Sequence, residues 1–195
     1  MKNPLVAHHR VALAGHVTDA VTQKAIAGAV VTIVAMPDEF KQRLRRTADS
    51  GRTLSRSDGL YYFLDLPDGD YTLQVSLPAS GKRYGTAQHT ARVPVEPKPG
   101  GTFRFVNLAL QPTTVQGKIT SRGQRNGVML ARVQIKGSGE RTLSDDNGEY
   151  TLSGIEPGKR ELLVRAQGYR TAAEPVTIGE AGTSQIVNVT LTREG

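Results

Sequence analysis

The chain has 195 residues, 37% of them hydrophobic and 22% charged, with a formal charge of +7 and neither cysteine nor tryptophan. Its length allows one large domain or two small ones, and the lack of cysteine excludes disulfides, thiolate catalysis and cysteine-ligated zinc. No run of about 18 apolar residues occurs, so no transmembrane helix is expected, and 21 glycines and 10 prolines spread along the chain suit a turn-rich folded protein better than a helical bundle or a disordered chain.

In chain order, residues 1–10 contain a three-residue apolar run broken by His8, His9 and Arg10, too short for a signal-peptide core. They are read as a flexible N-terminal segment. The compartment expected is cytoplasmic, or cytoplasmic assembly, and extracellular if a leader has been removed. From VVTIV (30–34) onward apolar residues alternate: YYFLDL (61–66), YTLQVSL (71–77), FRFVNLAL (103–110), ARVQIKG (131–137), EYTLSGI (149–155), RELLVRA (160–166) and QIVNVTL (185–191). Period-two patterning punctuated by glycine and proline predicts half-buried antiparallel strands. Asp58-Gly59 and Asn147-Gly148 predict hairpin turns, because positive φ costs least at glycine and asparagine. Between the early strands, MPDEFKQRLRRTADSGRTLSR (36–56) predicts a short helix: Pro37, Asp38 and Glu39 suit a helix start, and Phe40 and Leu44 lie one turn apart among basic residues.

The skeleton is stated twice. Gly15 corresponds to Gly117, Gly59 and Tyr61 to Gly148 and Tyr150, Gly69 to Gly158, and VNLAL (106–110) to VNVTL (187–191). The offsets shrink from 102 to 89 to 81, so the first copy carries insertions near 37–56 and 79–101. Each copy predicts one small all-β Greek-key sandwich, at 11–112 and 113–195. The link Gln111-Pro112-Thr113-Thr114 is short enough to limit relative motion. The charge excess is in the first half, where residues 1–112 hold 14 Lys and Arg against 9 Asp and Glu; the remainder holds 11 against 9.

GHVTDAVTQKAIAGAVVTI (15–33) followed by SDGLYYFLDLPDGDYTLQV (57–75) resembles the carboxypeptidase regulatory-like domains, which have a transthyretin-like β-sandwich. The second copy is similar through QGKIT, ARVQIKG, DDNGEYTLSGIEPG and Gly168-Tyr169. Two departures stand out: Gln23 replaces the family's turn glycine, and Arg160 stands where the first copy has Tyr71. The resemblance implies the fold, and a role as spacer or docking unit in a larger assembly, for example a tail-like or baseplate-like machine.

Chemistry-bearing motifs are missing. His8, His9, His16 and His89 show no H-x-x-E or H-E-x-x-H spacing, and no nucleophile elbow or phosphate loop occurs. No catalytic residue, metal or cofactor is therefore expected. Asp145-Asp146-Asn147-Gly148-Glu149 is read as a turn rather than a calcium loop, since Leu143 stands where an acid is needed. Asn188, repeated as Asn107, is read as a structural hydrogen-bonder rather than as an isopeptide partner of Lys118. The candidate interaction surface is the basic insertion, Phe40, Lys41, Arg43, Leu44, Arg45 and Arg46, facing an acidic protein surface or, alternatively, capping the sandwich. Nucleic acid is disfavoured because only Phe40 offers a ring for stacking. The reading is a non-enzymatic structural or protein–protein interaction module; the alternatives are a carbohydrate-binding or adhesive module and an accessory to a separate peptidase. Oligomeric state is left open.

Overall fold

The computed structural model describes residues 9–44, 51–93, 104–124 and 126–195. The chain forms two compact all-β units, one of residues 1–79 and 86–110, the other of 80–85 and 111–195. In the first unit the order is β1 (Val11–Asp19), β2 (Val30–Ala35), α1 (Asp38–Leu44), β3 (Arg52–Leu54), β4 (Leu60–Leu64), β5 (Gly69–Ser76), β6 (Ala87–Val93), β7 (Arg104–Phe105) and β8 (Leu108–Leu110). The second repeats it without the helix: β9 (Thr114–Ser121), β10 (Arg132–Ile135), β11 (Arg141–Leu143), β12 (Glu149–Ser153), β13 (Gly158–Arg165), β14 (Ala172–Ile178), β15 (Ser184–Ile186) and β16 (Val189–Leu191). Each unit has two sheets. One is ordered β4-β1-β7 with β8 also on β1, and its counterpart is β12-β9-β15 with β16 on β9; the other is β3-β2-β5-β6, matched by β11-β10-β13-β14.

The inward residues of both sheets form a buried core in each unit. In the second unit Val115, Ile119, Val133, Ile135, Leu152, Ile155, Leu162, Val164 and Leu191 are all at most 2% exposed, and Leu13, Val17, Val31, Tyr61, Tyr71, Leu73, Val75 and Leu110 fill the first. Each buried aliphatic side chain contributes about 1.5–3 kcal/mol by leaving water, which is why the alternation in the sequence is obeyed. One buried serine is satisfied identically in the two copies. Ser55 Oγ accepts from Ala29 N (2.8 Å) and donates to Ile26 O (2.7 Å); Ser144 Oγ accepts from Ala131 N (2.9 Å) and donates to Val128 O (2.6 Å).

Two features correct the expectations, and a third explains a departure from the family pattern. The turns at Asp58-Gly59 and Asn147-Gly148 close locally, with Gly59 N donating to Arg56 O and Gly148 N to Asp145 O, each at 2.9 Å. They do not, however, join hydrogen-bonded strands: β3 pairs with β2 and β4 with β1, so the turn carries the chain from one sheet to the other. FRFVNLAL is not one strand but two, split at Val106-Asn107, and both pieces run parallel to β1. Gln23, at the family's turn-glycine position, adopts φ +59° and its side-chain Nε2 donates to Ala20 O at 3.0 Å, so a local bond offsets the cost of that conformation.

Residues 80–85 pack within the second unit. Thr113 N donates to Arg83 O (2.8 Å) and Gly85 N to Gln111 O (2.9 Å), while the Arg83 guanidinium pairs with Glu140, reaches Glu156 at 3.5 Å and donates to Gly154 O at 3.1 Å. Residues 111–114 are likewise built in, Pro112, Thr113 and Thr114 being buried.

Two predictions follow from this packing. At Gly148, φ is +78° and an added Cβ would lie 2.4 Å from Ile119 O, so Gly148→Val is expected to lower the stability of the second unit by about 2–3 kcal/mol in a denaturant melt, with the first unit's transition unmoved. Burial raises the Tyr61 and Tyr150 phenols well above their ordinary range. A folded-state pKa above the unfolded value of about 10 contributes stability that is complete below that pH and lost above it, as the unfolded chain ionises. Melts taken across that range should show stability falling from about pH 10 upward, and the double variant Tyr61→Phe, Tyr150→Phe should show a shallower fall.

Candidate interaction surface

The sequence placed its candidate surface on the basic insertion. There α1 forms as expected, with Asp38 and Glu39 in its first turn, where carboxylates complement the helix dipole. Phe40 is 3% exposed and packs edge-on against Tyr71 with ring centroids 5.8 Å apart. It belongs to the core, and Lys41 stays exposed. The side chains of Arg43 and Leu44, and Arg45 and Arg46 entirely, lie outside the described residues. Pro37, just before the helix, covers Gly69, whose absent Cβ would meet Pro37 Cγ at 2.4 Å, and Tyr71 Oη donates to Pro67 O at 2.7 Å. In the second copy, which lacks the helix, Arg160 takes the place of Tyr71 and its guanidinium donates to Pro157 O at 3.2 Å. A long cation whose end reaches water suits an uncovered site.

A second surface emerges from the register of the sheets. On the outer face of β4-β1-β7, Ala14 on the middle strand is paired with Tyr62 on one side and Phe105 on the other. Leu60 pairs with His16, and Leu64 with Val11. Tyr62, Leu64 and Phe105 are 42%, 39% and 49% exposed, whereas Ala14 is 4% exposed between them. The His16 ring lies against Phe105, tilted, at 5.5 Å. Adjacent strands are about 4.8 Å apart, so two aromatic rings flank a one-methyl floor across about 10 Å.

The second copy supplies the comparison. At the equivalent positions of β12-β9-β15, Gln116 is paired with Thr151 and Ile186, Lys118 with Glu149, and Thr114 with Ser153. One exposed apolar residue remains there, Ile186. The face is polar and shallowly concave, about 340 Å³, lined by Gln116, Lys118, Glu149, Thr151 and Asn188 among others. One fold thus carries an apolar and a polar version of the same outer face, so the apolar one is not demanded by folding. The sequence signal that would have found it is the mismatch between Leu60, Tyr62 and Leu64 and their counterparts Glu149, Thr151 and Ser153.

Residues considered for chemistry have structural duties. Asp145 Oδ1 accepts from Asn147 N (2.9 Å) and Glu149 N (2.8 Å). Asn107 Oδ1 accepts from His16 N (3.0 Å) and Asn188 Oδ1 from Lys118 N (2.9 Å), the same bond in both copies. Among the described residues, no three His, Asp or Glu side chains converge as a metal site would require, and no helix is long and apolar enough to cross a membrane.

Phe40 and Lys41 are separable in a thermal melt. Phe40→Ala is expected to cost the first unit about 3–4 kcal/mol, and Lys41→Ser to change it by less than about 0.5 kcal/mol.

Comparison with curated proteins returns no match. Among solved structures, the TIE protein of Bacillus anthracis is 15% identical over 94% of this chain and 34% of its own, with a TM-score of 0.44. The shaft pilin SpaA of Lactobacillus rhamnosus GG is 13% identical over 96% of this chain and 98% of its own, with a TM-score of 0.43. The cohesin–X-dockerin complex of Acetivibrio cellulolyticus is 15% identical over 42% of this chain and 58% of its own, with a TM-score of 0.35. This chain spans about a third of the length of the Bacillus protein. The profile of the carboxypeptidase regulatory-like domain matches twice in tandem, at residues 12–110 and 114–192, in register with the two repeats traced above. The chain belongs to the carboxypeptidase regulatory-like domain family.

Proposed function

We propose that the protein is a non-catalytic, protein-binding structural module, an accessory component of a larger assembly, and that it docks through the outer face of its first sandwich. One observation carries this reading: Leu60, Tyr62, Leu64 and Phe105 sit on an exposed sheet face whose counterpart in the same chain is polar but for Ile186. Exposed apolar area beyond scattered single residues marks interaction surfaces, and Tyr is among the side chains that dominate binding energy. The polar counterpart shows that the sandwich folds without it. Support for a non-enzymatic role comes from the site chemistry, since Asp145, Asn107 and Asn188 are each occupied by backbone amides. The assembly reading also fits a basic chain, whose charge favours association with acidic partners.

The test uses residues already known to suit the fold. The variant Ala14→Gln, Tyr62→Thr, Leu64→Ser gives three central positions of the first sandwich's outer face the residues of the second. Expressed with a tag in its native cell, the wild-type chain is expected to sediment within a larger complex and the variant at monomer mass, with equal melting temperatures for the two purified proteins. A variant that stays in the heavy fraction, or a wild-type chain that sediments alone, overturns the reading.

A further inference from the structure

The second sandwich carries a specialised outer face of its own, on the sheet β11-β10-β13-β14. We infer that this face docks an acidic protein, separately from the face proposed on the first sandwich: Arg132, Arg141 and Arg165 meet carboxylates of the partner, and Leu130 enters an apolar recess in it. Strand register brings the arginines together. Arg132 is directly opposite Arg165, and Arg141 is one diagonal away, opposite Gln134. All three are exposed while Val133, Ile135 and Val164, which alternate with them, are buried, so the guanidinium groups share the solvent side. Opposed Cβ atoms lie about 5 Å apart and diagonal ones about 7–8 Å, within reach of a single group of carboxylates. None of the three makes an ion pair among the described residues. The nearby acids do not cancel them. Glu161 shares the face but is balanced by Lys136 at 2.5 Å, Glu140 is balanced by Arg83, and Glu174 is in register with the buried Leu162 and so faces the other side. Asp145 and Asp146 keep their charge, but they belong to the turn that leaves this sheet for the other one.

The first copy shows that folding does not require these residues. Arg141 and Leu143 recur there as Arg52 and Leu54, but Arg132 and Arg165 correspond to Val30 and Ser76, again directly opposite. Like charges directly opposite each other destabilise a sheet, so the arginine pair works against the fold. Leu130 does so as well. Its amide donates to Ser144 O as Gly28 N donates to Ser55 O, and it keeps the left-handed backbone of that glycine, φ +55° against +71°, a conformation that strains a bulky side chain. Leu130 is nevertheless 62% exposed, so burial does not offset the strain. It stands two residues before Arg132, with the exposed Met129 and Leu143 also at this end of the ladder. Arginine forks fit carboxylate and phosphate alike, and the surroundings decide between them. Strands β10, β11, β13 and β14 carry no aromatic ring on which a nucleobase could stack. An anionic bilayer reached by Leu130 would also meet Asp145 and Asp146, which follow the Ser144 carbonyl that Leu130 binds. A second copy of this face would set arginine on arginine. A protein surface supplies carboxylates and an apolar recess together, and arginine is among the residues that dominate such interfaces.

The test is a selection of phage-displayed random peptides on the full immobilised chain, counter-selected on the variant Leu130→Gly, Arg132→Val, Arg165→Ser, which carries the first copy's residues at all three positions. The expected result is enrichment of Asp or Glu beside apolar residues. A synthetic peptide of that consensus should bind at least about tenfold more weakly to Arg132→Val, Arg165→Ser, with a smaller salt dependence, and more weakly to Leu130→Gly. Both variants should melt at or above the wild-type temperature, since one removes a like-charge pair and the other a strained backbone; a merely structural role for these side chains predicts the opposite. Five results overturn the inference: no acidic peptide enriched; peptides that bind the variants as they bind the wild type; a lower melting temperature for the arginine variant; binding to a DNA duplex or to vesicles of anionic phospholipid that is tighter than to any selected peptide and is lost in the variants; or a concentration-dependent dimer in sedimentation that the variants abolish.

Discussion

Each sandwich is organised around one backbone carbonyl, Val106 O in the first copy and Val187 O in the second. It occupies the space a side chain on the first strand would fill: a Cβ at Gly15 would lie 1.7 Å from Val106 O, and one at Gly117 would lie 2.0 Å from Val187 O. From the core side the same carbonyl accepts the hydroxyl of Tyr61 (2.6 Å) or Tyr150 (2.7 Å). The next residue, Asn107 or Asn188, turns its side-chain oxygen onto the amide following the glycine. A buried carbonyl left without a donor would cost about 1–3 kcal/mol, so glycine, tyrosine and asparagine are required together. This contact splits the last strand in two and locks both pieces parallel to the first strand, where they complete the sheet.

The duties of that latch fall on residues that point inward or sit at its turn, and those are the positions at which the copies agree. The buried serines agree as well, Ser55 and Ser144 making the same two bonds. Outward positions carry no such duty, and there the copies diverge, from Leu60, Tyr62 and Leu64 to Glu149, Thr151 and Ser153. Fold conservation within the chain and functional specialisation of one copy are thus separated by the pleat of the sheet, since successive side chains point to opposite faces. The chain uses one scaffold to present two chemically different platforms.

The insertion in the first copy follows the same economy. Its helix uses Phe40 to finish the core over Tyr71, and the second copy, lacking the helix, replaces the tyrosine with Arg160, whose guanidinium still meets a carbonyl of the turn. Tyrosine needs a cover for its ring; arginine reaches water. The substitution and the insertion are one structural choice expressed at two distant places in the sequence.

The sequence by itself determined most of the strands, the two copies, the turn glycines, the helix after Pro37 and the family, because each depends on local periodicity or on residue types required at fixed spacing. It also showed that Asn188 serves structure, from its repetition as Asn107. Tertiary structure alone decided which aromatics of Tyr61-Tyr62-Phe63 are core and which is surface, since three adjacent rings carry no period. It also decided that Phe105 and His16, far apart in the chain, meet beside Tyr62 on one face, that the glycine turns pass between sheets, and that residues 80–85 pack with the second unit. All of these are set by non-local register, in which a residue's neighbours are chosen by strand pairing across tens of positions, and no local pattern records that choice.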